Sequence, residues 1–259
     1  MELYIQESGT PGAPTLLFLH GSGIGTWMWE EQVRGLQDFH CLNLDLPGHG
    51  KSNHIEYVSL ADTADQIADL IRARGTHGRA TLVGMSFGGY VALTTLARHA
   101  DLIDKVVVSG VTDRPLPNRG AVLLQTRLLR PFMKSRGFVC MQAYMMRLPA
   151  EVLDAYSASM VAMTRTAYDG IIHEVVDFQL PDVLRHNKVP TLIAAGSAEM
   201  KPMVAAAATI PQTMPNARGM IAPGLHHAWN GENPALFTAM VRAWVTGAPL
   251  PEGLQPAAQ

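Results

Sequence analysis

Ser86 lies within Gly84-Met85-Ser86-Phe87-Gly88, directly after the run Ala80-Thr81-Leu82-Val83 and directly before the helix-compatible stretch Gly89-Tyr90-Val91-Ala92-Leu93. A serine between a strand and a helix can be held on a tight bend, where a Cβ on the flanking small residues would collide with the neighbouring strand or helix. The hydroxyl then projects above the sheet beside a helix N-terminus. Serine alone is a weak nucleophile, so the reading requires a base, an acid that orients the base, and donors for an oxyanion. Without that company, the same residues describe a glycine-rich helix start with a capping serine.

The base is sought near the C-terminus. Pro223-Gly224-Leu225-His226-His227-Ala228-Trp229 follows the last strand candidate and precedes the last helix, which puts its histidines on a loop. His227 is the chosen base and His226 the alternative, because adjacent loop residues point in different directions. Imidazole takes the serine proton only if its other nitrogen is held by an acid. Glu199, in Gly196-Ser197-Ala198-Glu199 just after a strand candidate, leads for that role, and Asp113 after the strand around Lys105 to Ser109 is the runner-up. The order Ser86, Glu199, His227 agrees with a nucleophile-elbow arrangement. For the oxyanion hole the expected donors are the Phe87 amide and an amide of His20-Gly21-Ser22-Gly23, with Ser22 favoured. His20 is expected to shape this loop rather than to act in catalysis.

Other chemistries fit less well. Gly21-Ser22-Gly23 with a later Asp45 suggests a dinucleotide fingerprint, but Thr26 occupies the position of its third glycine. Gly50-Lys51-Ser52 ends like a phosphate loop, yet Asp45 stands where the first glycine belongs. Adjacent histidines lack the one-turn spacing of helical metal ligands, so no metal is predicted, and no cofactor is expected. Cys41 and Cys140 are the two cysteines, far apart and without metal-type spacing.

These residues need a scaffold that brings distant segments together. Strand-like runs at Leu3 to Gln6, Thr15 to Leu19, His40 to Leu44, Ala80 to Val83, Lys105 to Ser109, Thr191 to Ala195 and Ala217 to Ile221 alternate with helical patterns. The helical patterns are Trp27 to Leu36, Leu60 to Arg74, Phe87 to His99, Met203 to Ile210 and Pro234 to Val245. The fold class predicted is α/β, a mostly parallel central sheet with helices on both faces and an inserted helical cap. Chemistry in such sheets collects at the C-terminal strand ends. The core is expected over residues 1–113 and 189–259, and the cap over 114–188, where Leu, Met and Arg recur at helical spacing with no clear strand. Cap methionines such as Met133, Met141, Met145, Met146, Met160 and Met163 are expected to pack its interior or line an apolar pocket. Arg127, Arg130 and Lys134 are expected on one helical face, opposite Leu124, Leu128 and Phe132, where they would be solvated or steer an anion.

With 259 residues, 47% hydrophobic and 16% charged, the chain can bury a substantial core. A formal charge of −2 provides no broad basic field for nucleic acid. Met1-Glu2-Leu3-Tyr4-Ile5-Gln6-Glu7 lacks the basic start and apolar run of a signal peptide, so a cytoplasmic protein without a membrane partner is predicted. Oligomeric state is left open.

His20-Gly21-Ser22-Gly23, Asp45-Leu46-Pro47-Gly48-His49-Gly50-Lys51-Ser52, Gly84-Met85-Ser86-Phe87-Gly88-Gly89, and His227 followed by Glu232 and Pro234 together resemble the α/β-hydrolase superfamily. The resemblance spans nearly the whole chain outside the cap. It implies that Asp45 to Ser52 forms a structural turn and that the cap covers the substrate pocket. Within the superfamily the chain looks like the small capped esterases, enol-lactonases and carbon–carbon bond hydrolases, departing from the commonest pattern with Glu199 where Asp is usual. Ser86 argues against the haloalkane dehalogenase and epoxide hydrolase branches, which use a carboxylate nucleophile. The function expected is a serine hydrolase acting on a small-molecule ester or lactone. Alternatives are a carbon–carbon bond hydrolase or lyase on an anionic substrate, and a non-catalytic ligand sensor.

Overall fold

The computed structural model describes residues 2–258. Strands β1 (Ile5–Gly9), β2 (Thr15–Leu19), β3 (His40–Leu44), β4 (Ala80–Met85), β5 (Ile103–Ser109), β6 (Thr191–Gly196), β7 (Ala217–Ala222) and β8 (Gln255–Pro256) form one sheet in the order β1-β3-β2-β4-β5-β6-β7-β8. The six inner strands run parallel, while β1 and β8 pair antiparallel at the two edges. The chain winds from β2 to one side through β3 and returns to pair β4 on the other side of β2. This is a topological switch point, and it places the loops after β2 and β4 side by side at the carboxyl edge.

Both faces of the sheet are covered, which is why the inner strands read as unbroken apolar runs. Alternate residues of β2 part company: Leu16 and Phe18 join a core with Trp29, Phe237 and Val241, whereas Leu17 and Leu19 join one with Ile67, Ile71, Val91 and Ile210. The first core is closed by α1 (Glu30–Gly35) and α10 (Pro234–Thr246), with the short α9 (Trp229–Glu232) before it; the second is closed by α2 (Leu60–Arg74), α3 (Phe87–Arg98) and α8 (Lys201–Thr213). Between β5 and β6 the chain forms α4 (Arg119–Leu129), α5 (Arg136–Met145), α6 (Leu153–Ala162) and α7 (Arg165–Val176), with no strand.

Several expectations are corrected. The first strand is Ile5–Gly9 rather than Leu3 to Gln6, because it is an edge strand whose register against His40–Leu44 is fixed by backbone pairing, not by the apolar run at its start. The two-residue β8 carries no hydrophobic signal at all. The helix expected over Trp27 to Leu36 is divided into a 3-10 turn over Thr26–Trp29 and α1. The basic face also dissolves: α4 ends at Leu129, ahead of Pro131, so Lys134 lies beyond it, and Arg130 pairs with Asp169 at 3.0 Å. The apolar residues placed opposite it, Leu124, Leu128 and Phe132, are 59%, 64% and 58% exposed. Of the methionines, Met133, Met160 and Met163 are buried, whereas Met141 and Met145 are exposed.

Candidate active site

Ser86 takes φ 53° and ψ −123° between β4 and α3, in a backbone region that a β-carbon-bearing residue enters at a cost of about 1–3 kcal/mol. Strain of this kind persists only where the surroundings over-determine it. Here a Cβ on Gly84 would lie 2.4 Å from the Gly88 carbonyl oxygen, and a Cβ on Gly88 would lie 2.0 Å from the Leu19 carbonyl oxygen. Glycines at both positions let α3 press onto the ends of β4 and β2. Every other residue from Ala80 to Leu93 is buried, and Ser86 alone in that run is half-exposed.

The loop after β2 faces this turn. A Cβ on Gly21 would sit 3.6 Å from the Ser86 Cβ. His20, fully buried, holds the loop: its Nδ1–H donates to the Gly21 carbonyl at 2.7 Å and its Nε2 accepts the Leu46 amide at 2.9 Å. Both ring nitrogens are thereby used, and burial pulls the pKa down to about 4, so His20 is a loop former rather than a base, in line with the sequence reading. Phe87 is the first residue of α3, so its amide has no acceptor within the helix. Among the described residues neither it nor the Ser22 amide donates to another backbone group outside the helices and strands. Asp45, almost fully buried, accepts the Thr26 and Lys51 amides at 2.8 Å each and closes the turn that the resemblance implied.

Glu199 and His227 meet. His227 Nδ1 lies 2.8 Å from Glu199 Oε2, and the Glu199 side chain is fully buried while that of His227 is 28% exposed. A carboxylate only accepts, so Nδ1 carries the hydrogen, and in the neutral imidazole Nε2 keeps its lone pair. The other carboxylate oxygen, Oε1, accepts the Gly196 amide at 2.8 Å, which fixes Glu199 on the end of β6. Gly110, with φ +68°, makes room for the imidazole, since a Cβ there would lie 2.5 Å from His227 Cε1 and 3.3 Å from Glu199 Oε2. Asp113 is engaged elsewhere, accepting from Arg114 and from Thr209 Oγ1 at 2.9 Å. His226 has its own carboxylate: Glu232 takes its amide on Oε1 and its Nδ1 on Oε2, both at 3.1 Å.

Ser86 reaches this pair through β5. Its amide donates to the Ser109 carbonyl at 2.8 Å, and Gly110, against the His227 ring, is the next residue. Among the described residues no hydrogen bond joins Ser86 Oγ to His227; such contacts often tighten only when substrate is bound. The sequence does not mark out Ser109 and Trp229, whose hydrogen bond joins β5 to the His227 loop. Their signal was slight, a small residue closing an inner strand and an aromatic two places after the histidine.

A model of the alpha/beta hydrolase family matches residues 16–240. The chain belongs to this family. An AB hydrolase superfamily protein of Gibberella zeae is 26% identical over 265 residues, covering 96% of this chain and 86% of that protein. A pimeloyl-[acyl-carrier protein] methyl ester esterase of Vibrio vulnificus is 35% identical over 107 residues, covering 41% of this chain and 39% of that protein. Among solved structures, the enol-lactonase of Burkholderia xenovorans LB400 superposes with a TM-score of 0.79 at 22% identity, over 94% of this chain and 96% of that one. A thermophilic esterase of Thermogutta terrifontis gives 0.76 at 23% identity, over 95% and 93%. At these identities the structural likenesses show the shared fold, an α/β hydrolase fold. No helix among the described residues is long and apolar enough to cross a membrane.

Proposed function

We propose that the chain is a cofactor-independent serine hydrolase that cleaves a small carboxylic ester or lactone through an acyl-enzyme on Ser86. The observation that carries this reading is the His227–Glu199 pair, whose half-buried imidazole and buried carboxylate share the carboxyl edge of the sheet with a strained, half-exposed serine. Named relatives support the chemistry: a methyl ester esterase at 35% identity over part of the chain, and a protein named a putative carbamate hydrolase at 26% over nearly all of it.

Each step has an owner. Ser86 Oγ attacks the carbonyl carbon as its proton passes to His227 Nε2, and Glu199 stabilises the imidazolium. Negative charge on the former carbonyl oxygen is received by the Phe87 and Ser22 amides, assisted by the N-terminus of α3. Collapse breaks the carbon–oxygen bond, and the leaving alkoxide takes the proton from His227. Water then enters, gives a proton to His227 and its oxygen to the acyl carbon, and Ser86 leaves with the proton restored.

Residues 114–188 act as the cap in this reading. Support comes from one contact with the oxyanion loop and one with the turn that follows it: Met160 Sδ occupies the space where a Cβ on Gly23 would be, 2.4 Å away, and Trp27 Nε1 donates to Ser159 Oγ at 2.9 Å. Hydrolysis of p-nitrophenyl esters of increasing acyl length tests the proposal, with turnover expected in wild type and lost in S86A. Equal turnover by both proteins would refute it. The carbon–carbon reading is weakened because Arg130, one of its anion-steering cations, is neutralised by Asp169.

A further inference from the structure

Ser109 is the last residue of β5 and is fully buried, yet it makes two contacts that bridge separate parts of the site. Its backbone carbonyl accepts the Ser86 amide at 2.8 Å. Its hydroxyl accepts the Trp229 Nε1–H at 2.8 Å. Trp229, also fully buried, follows His227 by two residues and packs on Phe237 with ring centroids 4.6 Å apart. One residue therefore holds the turn bearing the nucleophile with its main chain and the segment bearing the base with its side chain.

The remaining anchors of that segment do not duplicate this link. Glu232 grips His226, but both belong to the same short stretch, so the grip shapes the loop without placing it on the sheet. Asn230 bonds to Met28 and Gln32, which ties the loop to the chain after β2. Glu199 holds the imidazole itself from β6. The Leu225 carbonyl takes the Ala198 amide at 3.0 Å on the turn after β6. At β5, the strand that also carries the Ser86 amide contact, Gly110 packs against the His227 ring and the Ser109 hydroxyl supplies the side-chain hydrogen bond that holds the loop.

We propose that Ser109 is a positioning residue that sets the approach of His227 to Ser86 through its hydrogen bond to Trp229. The proposal rests on the serine-hydrolase reading and extends it. Proton transfer in the attack demands that serine and imidazole come within hydrogen-bond reach, and a displacement of about 1 Å in such a geometry can cost on the order of 100-fold in rate. Removing either partner deletes the tether between the loop and β5, so the loop shifts; in S109A a buried indole N–H is also left without its acceptor. Substrate contacts made by the cap and by the oxyanion loop are untouched, so binding is unaffected.

The test uses the full-length chain with S109A, S109T, W229F and the double variant S109A/W229F. Fluorophosphonate labelling of Ser86 and p-nitrophenyl ester turnover are followed across pH 5.5 to 9. S109A is expected to lose about 10–100-fold in labelling rate and kcat with KM within about twofold, and to shift the acidic limb of its pH profile. S109T, which retains the oxygen, is expected to recover most of the rate. W229F is expected to reproduce the defect, and the double variant to be no worse than either single one, because both remove the same contact. If S109A does not fold, W229F supplies the same readings, since it removes the donor rather than stranding it. A labelling rate and kcat of S109A within about twofold of wild type overturn the proposal. Wild-type protein that is not labelled at Ser86 removes the serine-hydrolase reading itself, which distinguishes the two failures.

Discussion

Glu199 binds His227 Nδ1 at 2.8 Å from a fully buried side chain on the turn after β6, while Asp113, on the turn after β5, is tied to Arg114 and Thr209. The chain thus offers His227 a glutamate one strand further along the sheet than Asp113. E199Q removes the charge that stabilises the imidazolium and permits the wrong tautomer, so kcat for ester hydrolysis should fall on the order of 10³–10⁴-fold. D113N should stay within a few-fold of wild type. Steady-state kinetics on the two purified variants decide it, and the opposite ranking would move the acid to Asp113.

Acidification should destabilise the fold through two internal histidines. His20 and His49 are fully buried, with ring centroids 5.0 Å apart. Burial pulls His20 down to about 4; burial, with repulsion from His20, pulls His49 down to about 3. In the unfolded chain both titrate near 6.5, so below that pH the unfolded state binds more protons and stability falls as pH falls. Each group contributes up to about 1.4 kcal/mol per pH unit until its folded pKa is reached. Urea midpoints should be level above about pH 7 and decline steadily from about pH 6.5 to 5, above the range where most carboxylates titrate. H49Q should reduce that slope; an unchanged slope would show that His49 is not held neutral.

Packing at the Ser86 turn forbids a single methyl group. G88A places a Cβ 2.0 Å from the Leu19 carbonyl oxygen, which backbone cannot avoid, and should cost upwards of about 3 kcal/mol or prevent folding. At Gly120 in α4 a Cβ meets nothing within 4 Å, and G120A should be neutral or stabilising by up to about 1 kcal/mol. Thermal unfolding of both variants provides the comparison.

A carboxylate on α7 staples the helical insertion to the core. Glu174 accepts from Tyr57 Oη and from the Leu60 amide at 2.8 Å, at the start of α2. E174A leaves a largely buried phenol and a helix-terminal amide without this acceptor, at a cost of about 1–3 kcal/mol. The Tm should fall by several degrees, and limited proteolysis between α4 and α7 should quicken. Unaltered cleavage kinetics would mean that the staple does not restrain the insertion.

What the sequence disclosed depended on the strength of local signals. The strands Thr15–Leu19 and His40–Leu44 and the helix Leu60–Arg74 stand where the apolar patterns put them, because inner parallel strands are buried on both faces and because Ser59 caps its helix by accepting the Asp62 amide. Ser86, Glu199 and His227 were legible as residue types at the ends of such elements. The bounds of the edge strand β1 and the existence of β8 were not, since backbone pairing defines edge strands without an apolar run. The outward turn of Leu124, Leu128 and Phe132 also escaped, because periodicity identifies a face but not the direction in which tertiary contacts aim it. The Ser109–Trp229 bond joins residues 120 positions apart, and no local pattern announces such a partner.

The most direct measurement is reaction of the purified chain with a fluorophosphonate, followed by peptide mapping, alongside ester turnover by S86A. One adduct on Ser86 is expected, none on S86A, and a loss of at least ~10⁴-fold in kcat in that variant. An adduct on another residue, or turnover that survives in S86A, would contradict the role of Ser86 as nucleophile.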